Sequence, residues 1–159
     1  GKTAHFFVSI AYGKGVIACD QFFERLNGEK FADYVRKQFP KIFAKSANAV
    51  GKHFLQDGDP VQTSAAAKRA FQEVDAMMFA IPARSPDLNP IENLFHLVSK
   101  KLETDALDME ITNENFEQLS ARVEKTMKNF PITTIDNIIK SMGNRVASII
   151  KKRGERLRY

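Results

Sequence analysis

The fold is organised around one stretch of eleven residues, Ser85-Pro86-Asp87-Leu88-Asn89-Pro90-Ile91-Glu92-Asn93-Leu94-Phe95. Each proline biases the residue before it away from helix, and Asn89 is a favourable N-cap for a helix whose first residue is Pro90. Glu92 then occupies the third helical position, where a capping-box glutamate also lies. The stretch therefore predicts a helix start with one carboxylate, which serves either as a cap or as a functional group.

The composition indicates one globular domain. The chain has 159 residues, of which 43% are hydrophobic, enough for one core. No run of eighteen apolar residues and no secretory leader is visible, so no membrane partner is expected. The single cysteine, Cys19, has apolar neighbours and is predicted to be a buried hydrophobic residue rather than a nucleophile.

The net charge of +5 is concentrated at the end of the chain. Residues 145–159 contain six cations and one anion, whereas the other residues contain 18 of each sign. This cluster favours contact with a polyanion such as nucleic acid, although a solvated tail has the same composition. Its cations are Arg145, Lys151, Lys152, Arg153, Arg156 and Arg158.

Hydrophobic periodicity predicts an α/β core followed by helices only. A hairpin is expected over 4–11 and 16–23, then helices over 28–43 and 65–73 and buried strands over 52–57 and 76–81. Pro40 is expected to kink or end the first helix, and the methionines at 77 and 78 to fill the core. The remaining expectations are a helix over 90–106, an acidic linker with Asp105, Asp108 and Glu110, and helices beginning at Asn113, Pro131 and about Asn144.

Two carboxylates can meet at one edge of this core. Asp57 ends the strand over 52–57, and Glu92 follows after 34 intervening residues that contain one helix and one strand. A strand, helix, parallel strand crossover returns the chain beside its start, and the next helix then begins over the same edge. Adjacent carboxylates repel unless a cation lies between them, and Mg²⁺ prefers such oxygen ligands. A two-metal site of this kind cuts or joins phosphodiesters.

These residues resemble those of a known family. Gln56-Asp57 followed by Pro60, the stretch 85–95 and the 34-residue spacing are similar to the catalytic core of mariner-superfamily DDE transposases. The resemblance implies an α/β, ribonuclease-H-like mixed sheet with helices on both faces and a helical C-terminal extension. Residues 1–110 would form a partial catalytic core, and 111–159 the extension of the same domain.

The resemblance also implies the function. Asp57 and Glu92 would be catalytic metal ligands for Mg²⁺ or Mn²⁺ in DNA strand cleavage and strand transfer, and Lys151, Lys152, Arg153, Arg156 and Arg158 would contact DNA. Transposon ends and target DNA would be the partners, the full-length protein would be a homodimer, and its location would be the nucleus. A catalytically inactive module that binds DNA or another protein is the alternative.

Some features of the family are missing from this sequence. The family's first catalytic Asp lies on a central strand before the hairpin, and that strand is not in this chain; Asp20 is in the wrong element to replace it, and Asp59 fits a turn. Gly58 and Gln62 stand where the family usually has Asn and His, and Phe95 where it has Trp. Without the first strand, apolar sheet edges are expected to be unpaired, and the chain to be poorly folded or inactive.

Overall fold

A computed structural model describes residues 3–46, 49–56, 59–80 and 88–156, with the side chains of Ala80 and of residues 145–156 left undescribed. The chain order is two strands, helix, strand, helix and strand, as the periodicity predicts, followed by three helices where four are predicted. The elements are β1 (His5–Ala11), β2 (Gly15–Phe22), α1 (Gly28–Lys45), β3 (His53–Gln56), α2 (Ala65–Glu73), β4 (Met77–Ala80), α3 (Pro90–Asp108), α4 (Phe116–Lys128) and α5 (Ile132–Arg156).

The hairpin β1–β2 has helices against both of its faces. Its antiparallel register pairs Val8 with Cys19, and a bulge between Ser9 and Ile10 shifts the pairing near the turn. Alternate side chains point to opposite faces of a strand. Accordingly, Phe7 packs into a cluster with α1 and α2, whereas Val8 packs into a second cluster with α3, α4 and α5.

The crossover unit forms the second part of the core. Asn27 and Ser64 cap α1 and α2 through their side-chain oxygens. Strand β3 then pairs with β4 in parallel. The paired residues run from His53 with Met77 to Gln56 with Ala80. The predicted strand, helix, parallel strand crossover is therefore confirmed.

Antiparallel and parallel pairs both occur, but in two separate two-stranded sheets in the part of the chain that the structure describes. Among the described residues, helices pack against only one face of β3–β4. Phe54 and Met78 pack against the α1 and α2 cluster, whereas Met77 and Phe79 on the other face are 57% and 55% exposed. The prediction of a buried β4 with two core methionines is thus wrong for Met77, because no described element packs over that face.

Four details of the helices differ from the sequence predictions. Helix α1 continues through Pro40 to Lys45, held by buried Phe39 and Phe43 on either side. Helix α3 reaches Asp108, so Asp105 and Asp108 are helical rather than in a linker, and Asp105 pairs with Lys101.

The other two differences concern the C-terminal extension. Asn115, not Asn113, caps α4, because Gln118 completes a capping box with it at a spacing of three. One continuous helix, α5, replaces the two that were expected after Pro131. Gly143 lies inside it, and a single glycine within a helix lowers its stability without ending it. Among the described residues, no helix combines the length and apolarity that crossing a bilayer requires.

Candidate functional site

The start of α3 holds Glu92 in a defined position. Buried Asn89 accepts a hydrogen bond at its Oδ1 atom from the Ile91 N–H at 3.3 Å, and its carbonyl oxygen accepts one from the Glu92 N–H at 3.2 Å. Pro90 takes the first helical position, where it loses no hydrogen bond. The predicted cap and helix start are confirmed.

The Glu92 side chain is exposed and is not used by this cap. In α4 the capping-box bond from Asn115 N–H to Gln118 Oε1 is present at 3.0 Å. At α3, the hydrogen bonds among the described residues include none from Asn89 N–H to the Glu92 carboxylate. The geometry therefore does not support the interpretation of Glu92 as a helix cap. The Glu92 carboxylate is available as a metal ligand.

The loop after β3 is closed at its base. Gln56 Nε2 donates to the Gln62 carbonyl oxygen at 3.1 Å, and Asp59 Oδ1 accepts from the Val61 N–H at 2.8 Å. Thr63 Oγ1 donates to the Asp59 carbonyl oxygen at 3.0 Å. Asp59 is thus a turn residue, as predicted. Asp57 lies within this loop but outside the described residues.

A cleft of about 460 Å³ joins the two elements that carry the predicted ligands. Gln56, the last residue of β3, lines it, and so do Asn89, Pro90, Ile91 and Glu92 at the start of α3. The structure therefore brings the end of β3 and the first turn of α3 to one cleft, as the crossover argument requires. The placement of Asp57 opposite Glu92 stays a prediction.

The side chains of the other predicted site residues lie outside the part of the chain that the structure describes. Lys151, Lys152, Arg153 and Arg156 belong to the last turns of α5, where side chains are not described, and Arg158 lies beyond the described residues. Nor do the described residues contain a group of three or more His, Cys, Asp or Glu side chains able to hold a metal ion.

The ionisable groups inside the hairpin are structural. Burial raises the pKa of the Cys19 thiol to about 11, so it stays protonated near neutral pH and is a poor nucleophile. Tyr34 of α1 donates to Asp20 Oδ2 at 2.6 Å, and burial together with this bond raises the pKa of the Tyr34 hydroxyl. Asp20 therefore binds Tyr34 of α1 and does not line the cleft.

Sequence reasoning missed the apolar walls of the cleft. Phe39, Ile42 and Phe43 of α1 line one side, and Ile91, Phe95, Ile139 and Met142 of α3 and α5 line the other. Their helical spacing marked them as core residues, and nothing local shows that they face a cleft. The Tyr34 and Asp20 pair was also missed, because the two residues meet only through the packing of α1 on the hairpin.

The fold matches that of known catalytic domains. The structure called "Crystal structure of the catalytic domain of Mos1 mariner transposase" superposes with a TM-score of 0.61 over 89% of this chain and 76% of that chain, at 16% identity. A second, "Structure of Mos1 transposase catalytic domain and Raltegravir with Mn", gives 0.61 over 91% of this chain and 80% of that one, also at 16% identity. At these identities the likeness shows the fold, and it confirms the ribonuclease-H-like class.

Sequence comparison defines the family. The sequence model of the family described as "DDE superfamily endonuclease" matches residues 1–112. The chain therefore belongs to the DDE superfamily endonucleases, which confirms the family resemblance.

Two individual relatives also support this family assignment. The Transposable element Tc1 transposase of Caenorhabditis elegans is 32% identical over 131 residues, 78% of this chain and 46% of the relative. The Transposable element Tcb1 transposase of Caenorhabditis briggsae is 29% identical over 106 residues, 67% of this chain and 37% of the relative. The chain thus spans less than half the length of these relatives.

Proposed function

We propose that this chain is the catalytic domain of a DNA transposase, and that Asp57 and Glu92 hold a divalent cation for cleavage and joining of DNA strands. The observation that carries the proposal is the shared cleft, since the end of β3 and the Glu92 turn of α3 both line it. Membership of the DDE endonuclease family and similarity to the Tc1 transposase support the same function.

The donor set fits a hard divalent cation. Glu92 is an exposed carboxylate on the cleft with no capping bond, and Asp57 directly follows the cleft residue Gln56. Carboxylate oxygens are the ligands that Mg²⁺ and Mn²⁺ take in sites that also bind phosphate. The Mos1 domain, a neighbour in fold, has been solved with Mn. Bound there, the cation would polarise the scissile phosphate and favour the deprotonated form of the attacking water or hydroxyl.

The role of the chain in this chemistry is to hold its two carboxylates in place. Asn89 and Pro90 fix the direction of the first turn of α3, and the Gln56 to Gln62 bond closes the loop that contains Asp57. In hydrolysis a water oxygen bonds to phosphorus as the bond to the leaving 3′ oxygen breaks. In strand transfer the oxygen of the freed 3′ hydroxyl bonds instead to a target phosphorus, as the bond from that phosphorus to the 3′ oxygen of the target strand breaks. The resemblance implies one more carboxylate from a strand that precedes the hairpin.

Calorimetry with Mg²⁺ and with Mn²⁺ tests the metal site. Asp57→Asn and Glu92→Gln should each weaken binding at least about tenfold, because each removes an anionic ligand without changing size. Glu117→Gln is a matched control, since Glu117 is also exposed on the first turn of a helix, α4. It should bind the cation as the native chain does. Equal binding by all four proteins would contradict the proposal.

The DNA contacts can be tested through their salt dependence. Replacing Lys151, Lys152 and Arg153 by Ala should weaken binding to duplex DNA and flatten the slope of affinity against salt, because fewer counterions are released. The control replaces Lys37, Lys41 and Lys45 of α1, which removes the same charge from another surface. Equal losses from both triple variants would contradict a role for the end of α5.

A further inference from the structure

Only a short link joins strand β3 to the turn that follows it. Gln56 is the last residue of β3, and residues 59–64 form a turn that leads into α2. Asp57 and Gly58 alone connect the two. Because each residue of a chain spans at most about 3.6 Å, the position of this turn limits where the Asp57 carboxylate can lie.

Ser64 joins the turn to α2. Its hydroxyl donates to the Val61 carbonyl oxygen at 3.0 Å and accepts from the Ala67 N–H at 3.2 Å, so one side chain both closes the turn and caps the helix. The Thr63 N–H donates to the Asp59 carbonyl oxygen at 3.0 Å and holds the rest of the turn together. The turn and the start of α2 are therefore one hydrogen-bonded unit.

The start of α1 lies against Ser64 with no room for a side chain. A Cβ atom at Gly28 would lie 2.7 Å from Ser64 Oγ and 3.0 Å from Ser64 Cβ. Carbon atoms in favourable contact are about 3.5–4.0 Å apart, and the Ser64 hydroxyl cannot rotate away without breaking its two hydrogen bonds. Gly28 is the first residue of a helix, so space rather than an unusual backbone angle requires glycine here.

Helix α2 is held along its length and cannot shift freely to make room. Ala70 has no exposed surface and packs in one cluster with Phe31 of α1. At the last residue of α2, Glu73 accepts a hydrogen bond from Arg36 of α1 at 2.6 Å. A methyl group at position 28 would therefore displace Ser64 and the turn rather than the whole helix.

We propose that Gly28 is a positioning residue for the metal site, because its lack of a side chain lets the turn after Asp57 pack against the start of α1 and so orients Asp57 toward Glu92. This inference rests on the proposed function of those two carboxylates. Gly28 acts through Ser64 and the turn and is not itself a ligand. Residues that orient a metal ligand commonly change metal affinity about 10–100-fold when they are replaced.

Calorimetry with Mn²⁺ tests the proposal. Gly28→Ala should weaken Mn²⁺ binding about tenfold relative to the native chain, because the displaced turn moves one of the two anionic ligands. Gly143→Ala is the matched control, since Gly143 lies inside α5 and a Cβ atom there meets nothing within 4 Å. It should bind Mn²⁺ as the native chain does. Equal Mn²⁺ affinity of Gly28→Ala and the native chain would overturn the proposal.

A second substitution should remove the effect of the first. Ser64→Gly deletes both atoms that would meet the added methyl group, and glycine is accepted at a helix N-cap. In the Ser64→Gly background, Gly28→Ala should therefore cause little further loss of Mn²⁺ affinity. This non-additivity distinguishes positioning through Ser64 from a general loss of stability, which would be additive. The same loss from Gly28→Ala in both backgrounds would overturn the proposal.

Hydrogen exchange in the absence of metal reports on the turn itself. Gly28→Ala should accelerate exchange of the Thr63 amide, whose hydrogen bond to Asp59 belongs to the displaced turn, whereas Gly143→Ala should not. Unchanged exchange at Thr63 in Gly28→Ala would overturn the proposal. Circular dichroism checks that both variants fold.

Failure of the metal site itself would give a different pattern. Glu92→Gln would then leave Mn²⁺ binding unchanged while the Thr63 amide still responded to Gly28→Ala, and both proposals would be overturned. If Glu92→Gln weakens Mn²⁺ binding and Gly28→Ala does not, only the positioning role of Gly28 is overturned.

Discussion

In the part of the chain that the structure describes, helices pack on both faces of the strand pair β1–β2 but on only one face of β3–β4. Val8 and Cys19 of the hairpin are buried against α3, α4 and α5, and Phe7 lies against α1. On β3–β4, Phe54 meets α1 and α2, but the opposite face, with Leu55, is exposed. Strands of similar apolar composition thus differ in burial because of the helices that reach them, and their stability contributions should differ accordingly.

The largest effect should come from a matched pair of leucines. Leu94→Ala in α3 should destabilise the fold by about 3–4 kcal/mol, because its side chain is fully buried and the change leaves a cavity. Leu55→Ala on the exposed face of β3, where Leu55 is 36% exposed, should cost less than about 1 kcal/mol. Urea unfolding of both variants measures the difference. Equal losses would mean that the exposed face of β3–β4 is buried in solution.

A second pair compares the two faces of β3–β4 directly. Phe54→Ala should cost about 2–3 kcal/mol, since its ring lies 5.0 Å from Phe71 and 5.4 Å from Phe39. Phe79→Ala should change the free energy of unfolding by less than about 1 kcal/mol and reduce aggregation, because Phe79 is exposed. Thermal unfolding and light scattering report the two outcomes. A larger loss from Phe79→Ala would contradict one-sided burial.

The polar bond between α1 and the hairpin should have an intermediate effect. Tyr34→Phe removes the hydroxyl that donates to Asp20 at 2.6 Å and should cost about 1.5–2 kcal/mol, the lower end of the range for hydrogen bonds to charged groups, because the bond is only partly buried. Tyr12→Phe at the exposed hairpin tip should cost less. Chemical denaturation measures the loss in free energy of unfolding for both variants. Equal losses would mean that the Tyr34 hydrogen bond stabilises the fold no more than a surface contact does.

The smallest effect on stability is expected from the ion pair of Arg122 with Glu114 at the start of the C-terminal extension, and it should depend on pH. The Arg122 guanidinium, 2.8 Å from Glu114, holds the pKa of the Glu114 carboxyl below its usual range. Because that pKa is lowered on folding, the stabilisation is present at neutral pH and is lost as the pH falls through the folded-state value. Glu114→Gln should therefore be less stable than the native chain at neutral pH, with the difference vanishing well below about pH 4. A constant difference across the acid range would contradict this ion pair.

Local patterns were sufficient to predict most of the elements. The cap at Asn89 follows from a side chain that satisfies a helix N–H group nearby, and the hairpin follows from two apolar runs around a glycine turn. The crossover also followed, because strand, helix and strand occur in the order that requires it. These features depend on residues that are close in sequence.

Features set by distant packing were not predictable in the same way. The apolar runs of β3 and β4 do not reveal that no described helix packs on one of their faces, and the spacing in α1, α3 and α5 does not reveal a cleft between them. At the site, the sequence predicted Glu92 at a helix start but did not decide whether its carboxylate caps the helix or binds a metal ion. Only the geometry of Asn89 shows that the carboxylate is not used for capping.

The central claim is that Asp57 and Glu92 share one divalent cation at the mouth of the cleft. Paramagnetic broadening by Mn²⁺ in amide NMR spectra tests it most directly, because broadening falls off steeply with distance from the ion. At the lowest Mn²⁺ concentrations the amides of Gln56 and Glu92 should broaden together, and Glu92→Gln should abolish both effects while Glu117→Gln leaves them intact. Broadening at Glu92 without Gln56, or broadening that survives Glu92→Gln, would contradict the claim.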